Sequence, residues 1–193
     1  MIAVFDNFIK DQQLLTDIQA NYGDIFKDPG VYKYWDGWWN TPANNVTKRL
    51  IEYAWGENCP IAGSFTIDGF EYWTGIQTAN SVDQTWKDNL QIHFDKDEAW
   101  WKKTDEIVSP VIGSVYYPAG QDFDGGDLVI YTDGRDSTPE VVKAKPNRFI
   151  IFQAGQDLHA VEQVTRGVRR AIAINLWEKE PYSKQIGELV IEQ

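Results

Sequence analysis

The sequence predicts a mainly β fold, a jelly-roll barrel of short antiparallel strands backed by a layer of N-terminal helices. Two amphipathic stretches with helical spacing come first, before residue 60. After them, short β-forming runs alternate with glycine- and proline-bearing turns to the end of the chain. No repeat or low-complexity segment interrupts that pattern.

Taken in order, Ile2 to Phe5 reads as a short strand. Asp11 is placed to cap a helix running to about Asn21, with Leu14, Leu15 and Ile18 as its buried stripe. Gly23 to Asn40 reads as irregular and rich in aromatics: Phe26, Tyr32, Tyr34, Trp35, Trp38 and Trp39. Such a stretch is either a cover over one end of the barrel or a wall presented to a substrate, since aromatics supply large rigid contact area. A second helix is expected from Asn45 to about Gly56, burying Val46, Leu50, Ile51 and Ala54 against the same sheet as the first. Ile61 to Ile67 and Phe70 to Thr78 flank Asp68-Gly69, which predicts a hairpin. In its second arm Glu71, Trp73, Gly75 and Gln77 alternate against Phe70, Tyr72, Thr74 and Ile76.

A polar connection, Asn80 to Asn89, leads through Leu90 to Ile92 into His93-Phe94-Asp95. Asp97 to Asp105, with Trp100 and Trp101, reads as a brief helix or an excursion at the mouth of a site. Strands are then expected at Pro110 to Tyr117, Leu128 to Tyr131, Val141 to Lys145 and Phe149 to Phe152. The last long strand is Arg169 to Trp177, with Ile172, Ile174 and Leu176 on one side.

The 193 residues suit one domain with a proper core. A formal charge of -11 would repel nucleic-acid phosphates, and no basic patch offsets it. Cys59 is the only cysteine, which rules out an intrachain disulfide and favours a reducing, cytoplasmic setting. No apolar run reaches membrane-spanning length, and Met1 to Asp6 lacks the basic flank of a signal peptide. Asn45-Val46-Thr47 fits a glycosylation sequon whose use is not expected in such a chain.

His93 and His159 are the only two histidines. In a strand reading His93 and Asp95 point to the same side while Phe94 turns away. If the fold returns His159 to them, two imidazoles and a carboxylate on a β-scaffold form the facial set that suits non-haem iron with open coordination positions. Zinc takes the same ligands but brings no redox chemistry. Asp97 shares the strand parity of Asp95 and competes with it.

These stretches resemble the iron(II)- and 2-oxoglutarate-dependent dioxygenases, most closely their prolyl 4-hydroxylase-like branch. The resemblance is carried by His93-Phe94-Asp95, Tyr116-Tyr117, Phe123 to Leu128 with Gly125-Gly126, Pro146 with Phe149 to Phe152, His159-Ala160-Val161, and an arginine, Arg169, ten residues after the second histidine. It covers about residues 86–178, with residues 1–80 as helical and hairpin support, and implies a double-stranded β-helix, cupin-like core in a single dioxygenase domain. It implies that His93, Asp95 and His159 hold Fe(II), with Asp95 preferred to Asp97 by the motif spacing. It further implies that Arg169 pairs with the distal carboxylate of 2-oxoglutarate, where a planar guanidinium makes two parallel bonds, and that the Tyr117 hydroxyl reaches the same carboxylate. Arg170 faces the other way, Arg166 falls in the turn, Tyr116 is packing, and the paired glycines are structural.

Two departures from the family stand out. Val82 and Asp83 occupy the place of a family tyrosine about ten residues before His93, with Trp73 as the candidate substitute. The stretch after Arg169 is longer than usual, although Ala171 and Ala173 share its parity and leave room for a co-substrate. The co-substrates implied are 2-oxoglutarate and dioxygen, with ascorbate as a further cofactor and succinate and carbon dioxide as products. The expected substrate is a prolyl residue in a peptide or protein, with a free amino acid or other small metabolite as the main competitor. Nucleobase repair is opposed by the acidic balance. A non-catalytic cupin-like barrel that binds metal or ligand is the reading of a different class, and it gives no reason for the triad and Arg169 to occur together. A monomer or homodimer acting without nucleic acid or membrane completes the expectation.

Overall fold

In the computed structural model, residues 1–56, 59, 63, 66–79 and 92–191 are described. The chain opens with β1 (Ile2–Asp6), α1 (Gln12–Ala20), α2 (Tyr22–Ile25), β2 (Lys33–Trp35), α3 (Val46–Trp55) and β3 (Gly69–Thr78). It continues with α4 (Glu98–Thr104), β4 (Ile112–Tyr117), β5 (Phe123–Gly125), β6 (Leu128–Tyr131) and β7 (Glu140–Val142). The last elements are β8 (Arg148–Phe152), β9 (Leu158–Val161), β10 (Val164–Trp177), α5 (Tyr182–Gln185) and β11 (Val190–Ile191). A large sheet runs in the order β1-β8-β4-β10-β3-β2-β11, with β5 pairing the start of β10. A smaller sheet runs β7-β6-β9. All pairs are antiparallel except β11 with β2. Two such sheets, mostly antiparallel and supported by helices, are the expected jelly-roll core.

The helices form where the sequence caps them. Asp11 accepts from the backbone N–H groups of Gln13 and Leu14 at the start of α1, and Asn45 accepts from that of Lys48 at the start of α3. The sequon asparagine is therefore a helix cap. Leu14, Ile18, Leu50, Ile51, Ala54 and Trp55 pack on one face of the large sheet, with Leu15 and Val46 at the margin.

Strand periodicity divides the core. Ile172, Ile174 and Leu176 of β10 join Tyr116, Phe149 and Ile151 on the helical side. Tyr117, Ile150, Phe152 and Ala171 point the other way and pack with Leu128, Ile130 and Val161 between the two sheets. One face of each strand is thus committed to the helices and the other to the barrel interior.

Several boundaries differ from the expectation. Gly23 to Asn40 is partly regular, with α2 and β2; β2 is recruited because β3 has a free edge opposite β10. In the first arm of the expected hairpin, Ile61 to Ile67, residues 61, 62, 64 and 65 lie outside the described residues and Thr66 and Ile67 are in no strand; Val82, Asp83 and nearly all of the connection before His93 also lie outside the described residues. β10 starts at Val164, so Arg166 lies in the strand, where it pairs with Asp122 and Asp124 beside β5. The strand expected at Val141 to Lys145 ends at Val142, because Lys143 Nζ and the Ala144 N–H turn to the buried Asp127 carboxylate. Asp95 is in no strand, and His93 makes a single bridge. No helix among the described residues is long and apolar enough to cross a membrane.

Ile174 is fully buried on the helical side of β10. Truncation to alanine is expected to cost about 2–5 kcal/mol in denaturant unfolding, while the metal affinity of the folded protein, read by titration, stays unchanged.

Candidate functional site

The site begins with two backbone hydrogen bonds. The His93 N–H donates to the His159 carbonyl at 3.0 Å, and the His159 N–H donates to the His93 carbonyl at 2.7 Å. Residues paired this way across antiparallel chains project to the same side, and here the imidazole centroids stand 4.3 Å apart. The Asp95 N–H is anchored on the Ala154 carbonyl at 2.8 Å. Its Oδ1 lies 3.4 Å from His93 Nε2 and 3.7 Å from His159 Nε2. One donor from each of the three falls within 4.8 Å of the others. Donors at ~2.1 Å from one ion stand about 3 Å apart when mutually cis, so side-chain adjustment alone closes this set on a divalent cation.

The surroundings prepare each ligand. His159 is buried against the Phe152 ring, and its Nδ1 faces the Asp157 carbonyl at 3.1 Å. A proton held on Nδ1 leaves Nε2 with a lone pair for metal. Burial pushes the His159 pKa down and keeps the ring neutral. Burial works against ionisation of Asp95 too, but the hydrogen bond from His93, the two imidazoles and Asn175 hold its pKa below the usual value. Asn175 Nδ2 donates to Asp95 Oδ2 at 3.0 Å. That bond occupies one carboxylate oxygen and leaves Oδ1 facing the imidazoles.

Asp97 has different work. It caps α4 by accepting from the Trp100 N–H, and it takes hydrogen bonds from the Ser183 hydroxyl and the Tyr182 N–H, tying α4 to α5.

Of the three neighbouring arginines only Arg169 enters the barrel interior, where it is 4% exposed. Its Nη1 donates to Gln77 Oε1 at 2.6 Å and its Nη2 to the Tyr117 hydroxyl at 3.2 Å. Nε is buried without a partner, and no carboxylate of the described residues lies within 4.0 Å of this guanidinium. Gly126, at φ +70°, makes room for it: a Cβ there would stand 2.4 Å from Arg169 Cδ. Arg170 faces outward over the Tyr22 ring, as expected, and Tyr116 packs on the helical side.

A cavity of about 70 Å³ joins the metal-ligand cluster to Arg169, walled by Trp73, Phe152, Ala171 and Ala173. A wider space of about 250 Å³ opens beside His93 and Asp95, bounded by Tyr32, Trp73 and Glu71. Tyr32 packs against Trp73 with centroids 4.8 Å apart and the rings tilted by 37°, whereas Trp35, Trp38 and Trp39 gather on Phe70. The aromatic stretch therefore splits into a cover and one residue at the mouth. Burial, with Asp95 nearby, pushes the Glu71 pKa up to about 7 even though Trp177 Nε1 donates to it.

Gln77, Asn175 and Glu71 were not among the residues expected here. A signal for Asn175 exists: it is a lone amide in the apolar run Ile174-Asn175-Leu176, at the parity of Arg169. Gln77 needs the β3–β10 register, which sets it opposite Arg169.

The model of the 2OG-Fe(II) oxygenase superfamily matches residues 79–177, just over half of the chain. Curated proteins give no significant match. Among solved structures the chain is similar to a prolyl-4-hydroxylase from Pseudomonas putida, with 13% identity, 93% of each chain covered and a TM-score of 0.63. It is also similar to a viral collagen prolyl hydroxylase from Paramecium Bursaria Chlorella virus-1, at 14% identity, covering 93% of this chain and 96% of that one, with a TM-score of 0.53. A prolyl hydroxylase from Trichoplax adhaerens is similar at 11% identity, with coverage of 92% and 83% and a TM-score of 0.51.

Three outcomes are expected. His159→Ala removes tight Fe(II) binding from a folded protein, and Asn175→Ala weakens it by about 10–100-fold, both read by competition with a chelator. Glu71 holds its proton more tightly folded than unfolded, so its contribution to stability is fully present below about pH 4.5 and is lost as pH rises through about 7. Denaturation of the metal-free protein at pH 5 and pH 8 should show that loss, and Glu71→Gln should lack it.

Proposed function

The chain belongs to the 2OG-Fe(II) oxygenase superfamily, and we propose that within it the protein hydroxylates an unactivated C–H bond of a prolyl residue in a peptide or protein. In this reading residues 1–193 act as one dioxygenase domain. Fe(II) is held by His93, Asp95 and His159, and 2-oxoglutarate by Arg169 and Tyr117. Ascorbate accompanies them as a reductant. The observation that carries the reading is the buried Arg169 guanidinium, with an unpaired Nε and no carboxylate partner among the described residues, on the same cavity as the three metal donors. A buried cation without a counter-charge is costly, and the distal carboxylate of a keto diacid supplies one.

Bound together, Fe(II), 2-oxoglutarate and dioxygen supply the oxidising power for C–H hydroxylation, with succinate and carbon dioxide as by-products. The chain's own residues do the rest. Two neutral imidazoles and one carboxylate leave a divalent ion with net positive charge, which attracts a dianion. Gln77 holds one arm of the Arg169 fork, and Tyr117 meets the other with a hydroxyl that accepts from it and can donate onward. Ala171 and Ala173 leave the space between metal and guanidinium open, while Phe152 and Trp73 keep it apolar. No carboxylate is needed as a general base for the C–H step.

The prolyl assignment is supported by the fold shared with structures described as prolyl hydroxylases and by the Tyr32–Trp73 pair, whose faces suit a proline ring. The competing reading, a free amino acid or small metabolite, is favoured by one observation: the mouth is a space of about 250 Å³ with the Glu71 carboxylate in its wall.

Arg169→Ala should keep metal binding and lose 2-oxoglutarate affinity by about 100-fold, since each charge-assisted bond is worth about 1.5–3 kcal/mol. Unchanged co-substrate dependence in an anaerobic titration would assign the carboxylate to another residue. Conversion of 2-oxoglutarate to succinate separates the enzyme from a barrel that only binds.

A further inference from the structure

We propose that the substrate carries a positively charged amine, seated against Tyr32, Trp73 and Glu71 beside the metal site. The proposal rests on the oxygenase reading above and names the substrate class of that same site.

The space at the mouth shares His93 and Asp95 with the metal-ligand cluster, so whatever it holds lies next to the reacting centre. Among the described residues its charged lining beyond those ligands is three carboxylates, Glu71, Glu98 and Glu188, against one cation, Lys96. Lys96 is already engaged: its Nζ stands 2.7 Å from Glu98 Oε1 and lies over the rings of Phe94 and Trp101. Glu71 is held by the Trp177 indole and the Asn175 amide, neutral donors that fix its position and leave its charge uncompensated. Burial therefore favours its protonated form until a cation arrives.

Tyr32 and Trp73 supply the other half of the recognition. Their rings stand 4.8 Å apart at 37°, and aromatic faces of this kind attract ammonium and guanidinium groups. The Tyr32 hydroxyl is close enough to Asp95, Glu71 and Glu98 for all three to help raise its pKa, after burial as the main cause. Carboxylates and aromatic faces thus converge on one volume. The loaded centre adds no repulsion, since a divalent ion, the Asp95 carboxylate, a dianionic co-substrate and the Arg169 guanidinium together leave no net charge. A wholly neutral substrate would leave Glu71 protonated and gain no ion pair from it.

The ammonium has two natural sources, a free amino acid or amine, or a basic residue flanking the reacting position in a peptide. Both fit the same wall. The test uses Zn(II)-loaded protein with 2-oxoglutarate and follows the Trp73 indole resonance, assigned with Trp73→Phe. Butylammonium is compared with butanol, lysinamide with hexanamide, and an acetylated Lys-Pro peptide with its norleucine counterpart. The cationic member of each pair should bind at least about tenfold more tightly, and Glu71→Gln should erase most of that difference. The lysinamide and peptide arms show which source the site accepts. Equal or tighter binding of the neutral members overturns the proposal. Succinate formation by the Fe(II) protein is measured in parallel: its absence alongside a cation preference removes the oxygenase reading, and its presence without that preference removes only this one.

Discussion

Two backbone hydrogen bonds between residues 93 and 159 set the distance between the imidazoles, and the rest of the site is arranged around that bridge. His159 lies on β9, which is fixed by β6 in the small sheet. His93 has no strand of its own and is positioned by this single pairing. Asp95 then needs only its own anchor on Ala154 to bring a carboxylate to the same point. Three ligands from two distant parts of the chain are thus placed by main-chain contacts, which side-chain substitutions disturb little. That is the support a metal centre needs if ligand changes are to remove the ion and leave the fold.

β10 contributes the second constraint. Its even positions are committed to the helical layer, so Arg169, Ala171, Ala173 and Asn175 line the interior in succession. One strand therefore carries a cation, two spacers and the amide that orients Asp95. A slip of one residue would exchange three of these four for apolar side chains and put Arg170 in the remaining place. The glycine pair before β6 serves the same end, because a Cβ at Gly126 would occupy the path of the Arg169 stem.

Much of this was legible in the sequence, for local reasons. Caps at Asp11 and Asn45, the apolar stripes of α1 and α3, and the period of two in β3 and β10 are written in short windows. The metal ligands were legible because histidine is so scarce here. What escaped depended on register between distant segments. The pairing of Gln77 with Arg169 and the early start of β10 against β5 follow from strand alignment, to which local spacing is blind. Glu71 escaped for another reason: nothing in Phe70-Glu71-Tyr72 distinguishes a solvated carboxylate from one enclosed beside a metal site. Motif spacing already preferred Asp95 to the competing Asp97, and in the structure Asp97 is bonded to α4 and α5 instead.

The electrostatic layout follows from the same packing. A guanidinium deep in the barrel, unpaired among the described residues, and carboxylates at its mouth give the interior a polarity that runs from cation to anions across the metal position. In the proposed reading this orders the reactants, the dianion innermost and the substrate outermost. The most direct measurement is an anaerobic titration of the apoprotein with Fe(II) and then 2-oxoglutarate, following the weak visible charge-transfer band of a chelated keto acid. The account predicts that the band grows to saturation at one equivalent of each. Tight iron binding with no band on adding 2-oxoglutarate would contradict it, and would leave a barrel that holds a metal for some other purpose.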